Sequence, residues 1–367
     1  MIHCDALIVG GGPAGSTAAR LLRRAGWDVI VADRARFPRD KVCAGWLTPD
    51  VFPLLELTPD EYRATGLTVQ EITAFRTSVM GGRPVETRYT RVVSYAIRRC
   101  EFDTFLLQRS GARMLEDSFV RTLRHDNDRW IVNESIETPI VIGAGGHFCP
   151  VSRHLRAHID QEAPIVAKEA EFPIGDGHTQ VSGTTPELFF CRDFQGYAWC
   201  VRKGDYINVG IGRRGNHGFG EYLRDFVGFL ERHRIIAGVS NARWHGHAYL
   251  GSGVGPRPVI APGVMLVGDA AGLAYPESGE GIRPAIESGR LAAETLIAAR
   301  GQRGIHDLQP YADAIRRLHP AIRESAAPVR AALAALGRVL LTSPAFTRHV
   351  VLDRWFLRAS YGPETAD

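Results

Sequence analysis

Three glycines and one acid supply the first chemistry. Gly10, Gly12 and Gly15 fall in the run Gly10-Gly11-Gly12-Pro13-Ala14-Gly15, and Asp33 follows 18 residues after Gly15. A G-x-G-x-x-G run with an acid about 20 residues further on suits a dinucleotide. Gly10 permits a tight turn, Gly12 leaves no Cβ between the backbone and a pyrophosphate, and Gly15 lets a helix close on a strand. The N-terminus of that helix offers free N–H groups and partial positive charge to the phosphates. A carboxylate at Asp33 is placed to accept the adenosine ribose hydroxyls. It repels a 2′-phosphate, which argues against NADP here.

Such residues work only if regular elements hold them. Ala6-Leu7-Ile8-Val9 reads as a buried strand, Ser16 to Ala25 as a helix, and Val29-Ile30-Val31-Ala32 as a second strand ending at Asp33. Far downstream, Val264-Met265-Leu266-Val267 reads as another buried strand, ending in Gly268-Asp269. A loop through Gly279-Glu280-Gly281-Ile282 then leads into a helix reaching about Arg300. Alternation in Glu187–Cys191 and Tyr206–Ile211 predicts an antiparallel sheet. From His306 to Trp355 the pattern is helical, with apolar Val329, Ala332, Leu333, Leu336, Val339 and Leu340 among Arg330, Arg338 and Arg348, and Pro344 as an interruption.

Composition narrows the class. The 367 residues are 45% hydrophobic and 23% charged, a globular balance. No uninterrupted apolar run reaches the length of a membrane span. Met1 to Asp5 has no basic stretch before its strand, so a secretion signal is not expected and a cytoplasmic place is, with peripheral membrane contact as a variant. Lys41, Lys168 and Lys203 are the only lysines against many scattered arginines, a pattern without the aromatic interleaving of a nucleic-acid surface. Six cysteines form no C-x-x-C pair. His245-Gly246-His247 lacks a third ligand at a usual spacing, so no metal is expected.

The Gly268-Asp269 segment resembles that of FAD-dependent oxidoreductases built like para-hydroxybenzoate hydroxylase. The resemblance implies that Asp269, with Gly268 and Ala270 beside it, serves the ribityl and pyrophosphate end of non-covalent FAD. It also implies that the loop carrying Gly279, Glu280, Gly281 and Ile282 approaches the flavin ring. Arg99-Cys100-Glu101-Phe102-Asp103 is similar to a helix start in these enzymes whose arginine, here Arg99, contacts FAD. Val141-Ile142-Gly143-Ala144-Gly145-Gly146 is similar to a further strand end, which brings in Gly143 and Ala144; Gly145 stands where those enzymes carry an Asp tied to both FAD and NAD(P)H. No second complete G-x-G-x-x-G is present, so any NAD(P)H is expected to bind transiently.

Two more segments resemble geranylgeranyl reductases: Phe37-Pro38-Arg39-Asp40-Lys41-Val42-Cys43-Ala44-Gly45, and Gly196-Tyr197-Ala198-Trp199-Cys200-Val201-Arg202 followed by Asn208-Val209-Gly210-Ile211-Gly212. Val201-Arg202 replaces the family's Phe-Pro pair. The resemblance adds Arg34, Lys41, Cys43, Ala44 and Gly45 to the cofactor-binding set and places Tyr197 and Trp199 on the substrate cavity. From the residues alone, Tyr197 and Trp199 share one face of a strand and are either cavity lining or core. Cys43 is either a redox or proton-relay thiol or a small buried hydrophobe. Glu280 and Arg283 bracket the flavin-facing loop and are candidates for the substrate's neighbourhood.

The expected fold is α/β: a Rossmann-like FAD-binding domain of the glutathione reductase type 2 class, an antiparallel-sheet substrate domain, and C-terminal helices. The FAD-binding domain is expected at 1–70, 95–160 and 255–305, the substrate domain at 71–94 and 161–254, and the helical region at 306–367. The expected function is flavin-dependent reduction of carbon–carbon double bonds in a hydrophobic, prenyl-like molecule. NAD(P)H, another reductant or an electron-donor protein would supply the electrons. A monooxygenase on the same scaffold and a non-catalytic redox sensor are the alternatives.

Overall fold

A computed structural model describes residues 1–155, 164–175, 179–215, 217–249, 257–319 and 336–358. Of the predicted helical tail, Val329, Arg330, Ala332 and Leu333 lie outside the described residues.

The first sheet has six strands in the order Ile260–Ala261, Val264–Leu266, Val141–Gly143, Ala6–Val9, Val29–Ala32, Arg113–Leu115. All neighbours are parallel except the first pair. Every residue of Ala6–Val9, Val29–Ala32 and Val264–Leu266 is buried. Helices pack against the sheet, and Trp130, Val132 and Ile136 of a separate four-stranded sheet (Ile2–His3, Ile136–Thr138, Arg129–Val132, Leu123–Asp126) join the same core, which is why these strands read as unbroken apolar runs. Pro13–Arg24 and Ile282–Ala298 are two of those helices, and a Cβ at Gly289 would collide with the carbonyl oxygen of Ala14. That close approach fixes both helix N-termini at one end of the sheet. The strands Ala6–Val9, Val29–Ala32, Val141–Gly143 and Val264–Leu266 all end there, at the edge where open α/β sheets bind ligands.

The second sheet has seven strands in the order His245–Tyr249, Ile165–Pro173, Tyr206–Arg214, Gly196–Lys203, Glu187–Phe190, Ala74–Val79, Val85–Arg88. It is antiparallel, as expected, except where Glu187–Phe190 runs parallel to Ala74–Val79. That exception arises because Ala74–Val79 joins from a distant part of the chain rather than through a hairpin. One face packs Ala198, Cys200, Ile207, Val209 and Ile211 against the helix Phe219–Arg232, through Phe219, Phe226 and Leu230. The antiparallel-sheet domain expected over 161–254 reads as strand-rich in sequence, with no helix named in it. This helix was missed although its buried residues recur at helical spacing.

The other face carries Leu188, Phe190, Trp199 and Val201, packed with Leu341, Val351, Leu352 and Phe356 from the C-terminal segment. Pro344 opens a helix rather than merely interrupting one. It is the first residue of Pro344–Phe346, and Ser343 caps it by accepting from the Phe346 N–H. The turns continue as a π-helix, Thr347–Phe356, with more residues in each turn. No described helix is long and apolar enough to cross a membrane.

Candidate active site

The glycine loop divides its work between the fold and a ligand. Gly10 has φ +115°, and a Cβ there would collide with the Ala144 carbonyl. A Cβ on Gly15 would overlap the Gly10 carbonyl oxygen. The protein's own backbone demands both. Gly12 differs. Its φ of −77° and ψ of −174° are ordinary extended values, and the nearest atom to an added Cβ is Arg39 Nη2 at 3.5 Å. Nothing in the polypeptide needs a glycine at that position; the space above it belongs to a cavity. Asp33 holds the loop from below. Its Oδ2 accepts from the Gly11 N–H at 2.8 Å and its Oδ1 from the Ala35 N–H at 2.9 Å.

Across the cavity, Gly268-Asp269-Ala270 forms a single 3₁₀ turn, with the Gly268 N–H donating to Ser288 Oγ at 2.9 Å. Lys41 Nζ lies 2.5 Å from His247 Nε2, which is 3.9 Å from Asp269 Oδ2. Burial pushes the Lys41 ammonium down to about 8, with Asp269 acting against it. Burial also lowers His247, again opposed by Asp269. Burial alone would raise Asp269, but the nearby His247 imidazole and the Lys41 charge outweigh it and hold the carboxyl below its usual value. His247 was visible in the sequence only as half of a weak metal motif. Its strand pairs with Ile165–Pro173, Ala167 opposite His247, and that register carries the imidazole to Lys41.

Cys43 sits on a buried polar network. Its N–H donates to Glu169 Oε2 at 2.6 Å. Its Sγ accepts from the Gly45 N–H at 3.3 Å. Asn208 Nδ2 lies 3.4 Å from the Cys43 carbonyl oxygen and 3.2 Å from both Glu169 Oε2 and Glu171 Oε2. Lys203 Nζ donates to Glu171 Oε2 at 2.7 Å, and Arg98 Nε to Glu171 Oε1 at 2.9 Å. Burial pushes Glu169 up to about 7 against the pull of Lys203. Glu171 is lowered, because Lys203 and Arg98 overcome its own burial. Beside this network, Arg99 forks onto both oxygens of Asp103 at 2.7 Å each.

Tyr197 and Trp199 do share one face. Each stands opposite a glycine on the neighbouring strand, Tyr197 across from Gly212 and Trp199 across from Gly210. A Cβ at Gly210 would strike the Trp199 ring, so the Gly-x-Gly spacing makes room for the indole. Trp199 Nε1 donates to Asn208 Oδ1 at 2.7 Å, and the Tyr197 hydroxyl donates to the Ser278 carbonyl oxygen.

These features enclose one cavity of about 1180 Å³. Of the residues named from sequence, Gly10, Gly12, Pro13 and Ala14 line it, as do Asp33, Arg34, Lys41, Cys43, Ala44, Arg99 and Ala144. Gly268, Asp269, Gly279, Glu280, Gly281 and Ile282 line it from the far side, and Tyr197 and Trp199 from the second sheet. Gly15, Gly45, Gly143 and Ala270 stand behind the wall instead. Gly15 closes the helix on the loop, and Gly143 leaves room for Leu266 and Val151. Gly45 has φ +66° and abuts the Ile97 carbonyl and Lys203, while Ala270 is core. The sequence reading missed Arg39, Glu169, His247 and Tyr249 on the wall, and Leu336, Leu340, Phe346, Trp355 and Phe356 at its apolar end.

The FAD binding domain family matches residues 3–128, which contain the glycine loop, Asp33, Cys43 and Arg99. The geranylgeranyl diphosphate reductase of Rhodobacter capsulatus is 31% identical over 318 residues, covering 80% of this chain and 75% of that one. The chain belongs to the geranylgeranyl reductase family. It is an FAD-dependent oxidoreductase. A digeranylgeranylglycerophospholipid reductase of Methanosphaera stadtmanae is 29% identical over 337 residues, covering 85% of this chain and 82% of that one. A geranylgeranyl bacteriochlorophyll reductase-like protein from Thermoplasma acidophilum has the same fold, with a TM-score of 0.72 at 23% identity, covering 93% of this chain and 88% of that one. For a geranylgeranyl reductase family member, the free space over Gly12 is the observation that fits FAD: only a ligand uses it.

Proposed function

We propose that this protein reduces carbon–carbon double bonds of a prenyl-like hydrophobic substrate in a cavity shared with FAD. The observation that carries the reading is the cavity's two-ended chemistry. One end is glycine loop, Asp33, Lys41 and Asp269; the other is Trp199, Phe190, Phe346, Trp355 and Phe356. The names of the two relatives share a geranylgeranyl chain and differ in head group. An apolar, aromatic-lined end recognises such a chain by buried area rather than by hydrogen bonds.

In this reading Gly10, Gly12, Pro13 and Ala14 cradle the pyrophosphate and Asp33 and Arg34 stand at the adenosine end. Lys41 faces the phosphates from across the cavity, and Arg99, Asp269 and the Gly279–Ile282 loop hold the ribityl and flavin end. Bound FAD supplies the hydride. The polypeptide supplies orientation, exclusion of water and a proton. Tyr197 and Trp199 wall the substrate, and the Glu169–Asn208 network fixes the Cys43 backbone. Leu336 lines the cavity and is 53% exposed, close in sequence to exposed Val339, which gives a lipid-borne substrate an apolar approach from a membrane surface.

The deciding experiment is anaerobic reduction of the purified holoenzyme, followed by incubation with geranylgeranyl diphosphate and mass detection. The product should gain two hydrogens. A product that instead gains one oxygen, and forms only with dioxygen, would make the protein a monooxygenase.

Cofactor affinity should also depend on pH through Lys41. Below about 8 its ammonium is charged in the cofactor-free protein and favours the doubly negative pyrophosphate. Above that value Lys41 is neutral, binding must draw a proton, and affinity should fall by up to about tenfold per pH unit. Fluorescence titration of FAD into cofactor-free protein should show this bend. Lys41→Met should weaken binding at neutral pH by roughly tenfold and flatten the profile. An unbent wild-type profile would remove Lys41 from the phosphate.

A further inference from the structure

Among the described residues, Glu280 is the one cavity-wall carboxyl with both oxygens at once closed to solvent and without a hydrogen-bond partner. Its backbone is fixed: the Glu280 N–H donates to Ser278 Oγ at 3.3 Å and its carbonyl accepts from the Tyr275 N–H at 2.9 Å. The nearby cations are committed elsewhere. Arg283 donates to Glu287 Oε1 at 2.8 Å and to Asp50 Oδ2 at 3.1 Å, and Arg358 to Glu277 Oε2 at 2.7 Å.

The groups that face Glu280 are Arg283 and Glu287 on the following helix, Arg358 from the C-terminal segment, and Asp50 from the turn before Val51–Leu54. Tyr275 on its own loop and Tyr197 on the second sheet feel its charge. Burial pushes the carboxyl up to about 7, with Arg283 and Arg358 acting against it. A buried carboxylate with no hydrogen bond to hold its negative form is poised to be neutralised by any further negative charge.

We propose that Glu280 takes up a proton when the FAD in this cavity is reduced and releases it when the electrons leave. Two electrons and one proton added to FAD leave the reduced cofactor with a negative charge. That charge raises the affinity of the Glu280 carboxylate for a second proton, which binds at a side-chain oxygen. In reduction of a double bond, one carbon receives the hydride and the other a proton. The O–H bond of Glu280 breaks as that C–H bond forms, and oxidised FAD and a Glu280 carboxylate remain. The reductant is NAD(P)H or dithionite. Only this last transfer rests on the proposed double-bond chemistry; the proton uptake rests on FAD alone.

The test uses the holoenzyme without substrate. The midpoint potential, measured by dye equilibration from about pH 6 to pH 9, should change with a slope of two protons per two electrons where Glu280 is ionised in the oxidised enzyme. In Glu280→Gln the slope should fall to one proton per two electrons. A wild-type slope of one over this range overturns the proposal without any variant. A slope of two that survives in Glu280→Gln assigns the proton to Glu169, Lys41 or His247 and overturns it as well. If Glu280→Gln does not retain FAD, Glu280→Asp should move the pH at which the slope changes, and an unmoved break counts against Glu280. Because no substrate is present, failure of the prenyl reading leaves this result intact.

Discussion

Gly12→Val should give a folded, soluble protein that no longer retains FAD. The backbone at Gly12 is ordinary for any residue, and an added Cβ meets nothing closer than Arg39 Nη2 at 3.5 Å. The long arginine can swing aside, so thermal unfolding of the cofactor-free form should change by less than about 1 kcal/mol. In the holoenzyme the isopropyl group would occupy the space where the pyrophosphate approaches the backbone. Overpacking of about 3 kcal/mol weakens binding by roughly 100-fold or more, enough to lose the yellow colour on a sizing column.

Gly10→Val and Gly15→Val should behave in the opposite way. Their side chains would collide with backbone carbonyls whether or not a ligand is present, so neither should fold. Circular dichroism and bound-flavin absorbance on the three variants separate the two causes. Undiminished flavin in Gly12→Val would mean that the cofactor does not cross this loop.

Lys203→Met should carry the largest stability loss of any single side-chain change near the site. Lys203 is fully buried, and its ammonium lies 2.7 Å from Glu171 Oε2. Methionine matches its length and apolar stem but leaves Glu171 with Arg98 as its remaining cation and Glu169 with less opposing charge. Removing one partner of a buried pair costs about 3–5 kcal/mol, and Arg98 should hold the loss near the lower end.

The pH dependence distinguishes charge from packing. In the wild type Glu171 is lowered, so its stabilisation is present above its unfolded value and is lost as pH falls through its folded value. Without Lys203 both carboxyls shift upward, and the variant's deficit should be greatest at neutral and alkaline pH and shrink on acidification. Urea unfolding at about pH 7.5 and pH 5 reads this directly; a deficit equal at both values would assign it to lost packing. Because Asn208 and Glu169 hold the Cys43 backbone, the variant should also loosen the loop on which Cys43 sits.

Local signals sufficed wherever the chemistry is carried by consecutive residues. The glycine loop, the Gly268-Asp269 turn and the helix beginning at Arg99 are short stretches whose spacing is itself the structure. The alternation of Tyr197 and Trp199 placed them on one face for the same reason. The helix Phe219–Arg232 was overlooked because its surroundings alternate like strands, although its own period differs. Gly15, Gly45, Gly143 and Ala270 lie inside cofactor motifs yet serve packing, since a motif joins residues that touch the ligand with residues that let them do so.

By itself the sequence determined the cofactor class, the order of the elements and most of the loops that meet at the cavity, because each of these depends on spacing within a few residues. Only the tertiary structure decided what stands between those loops. Lys41 meets His247, Glu169 meets Cys43, Lys203 is buried against Glu171, and Phe346 and Phe356 close the apolar end. The three polar contacts cross 32, 126 and 206 positions of chain. All of these contacts are set by strand register and by which sheet face the C-terminal segment covers, and no local periodicity encodes either.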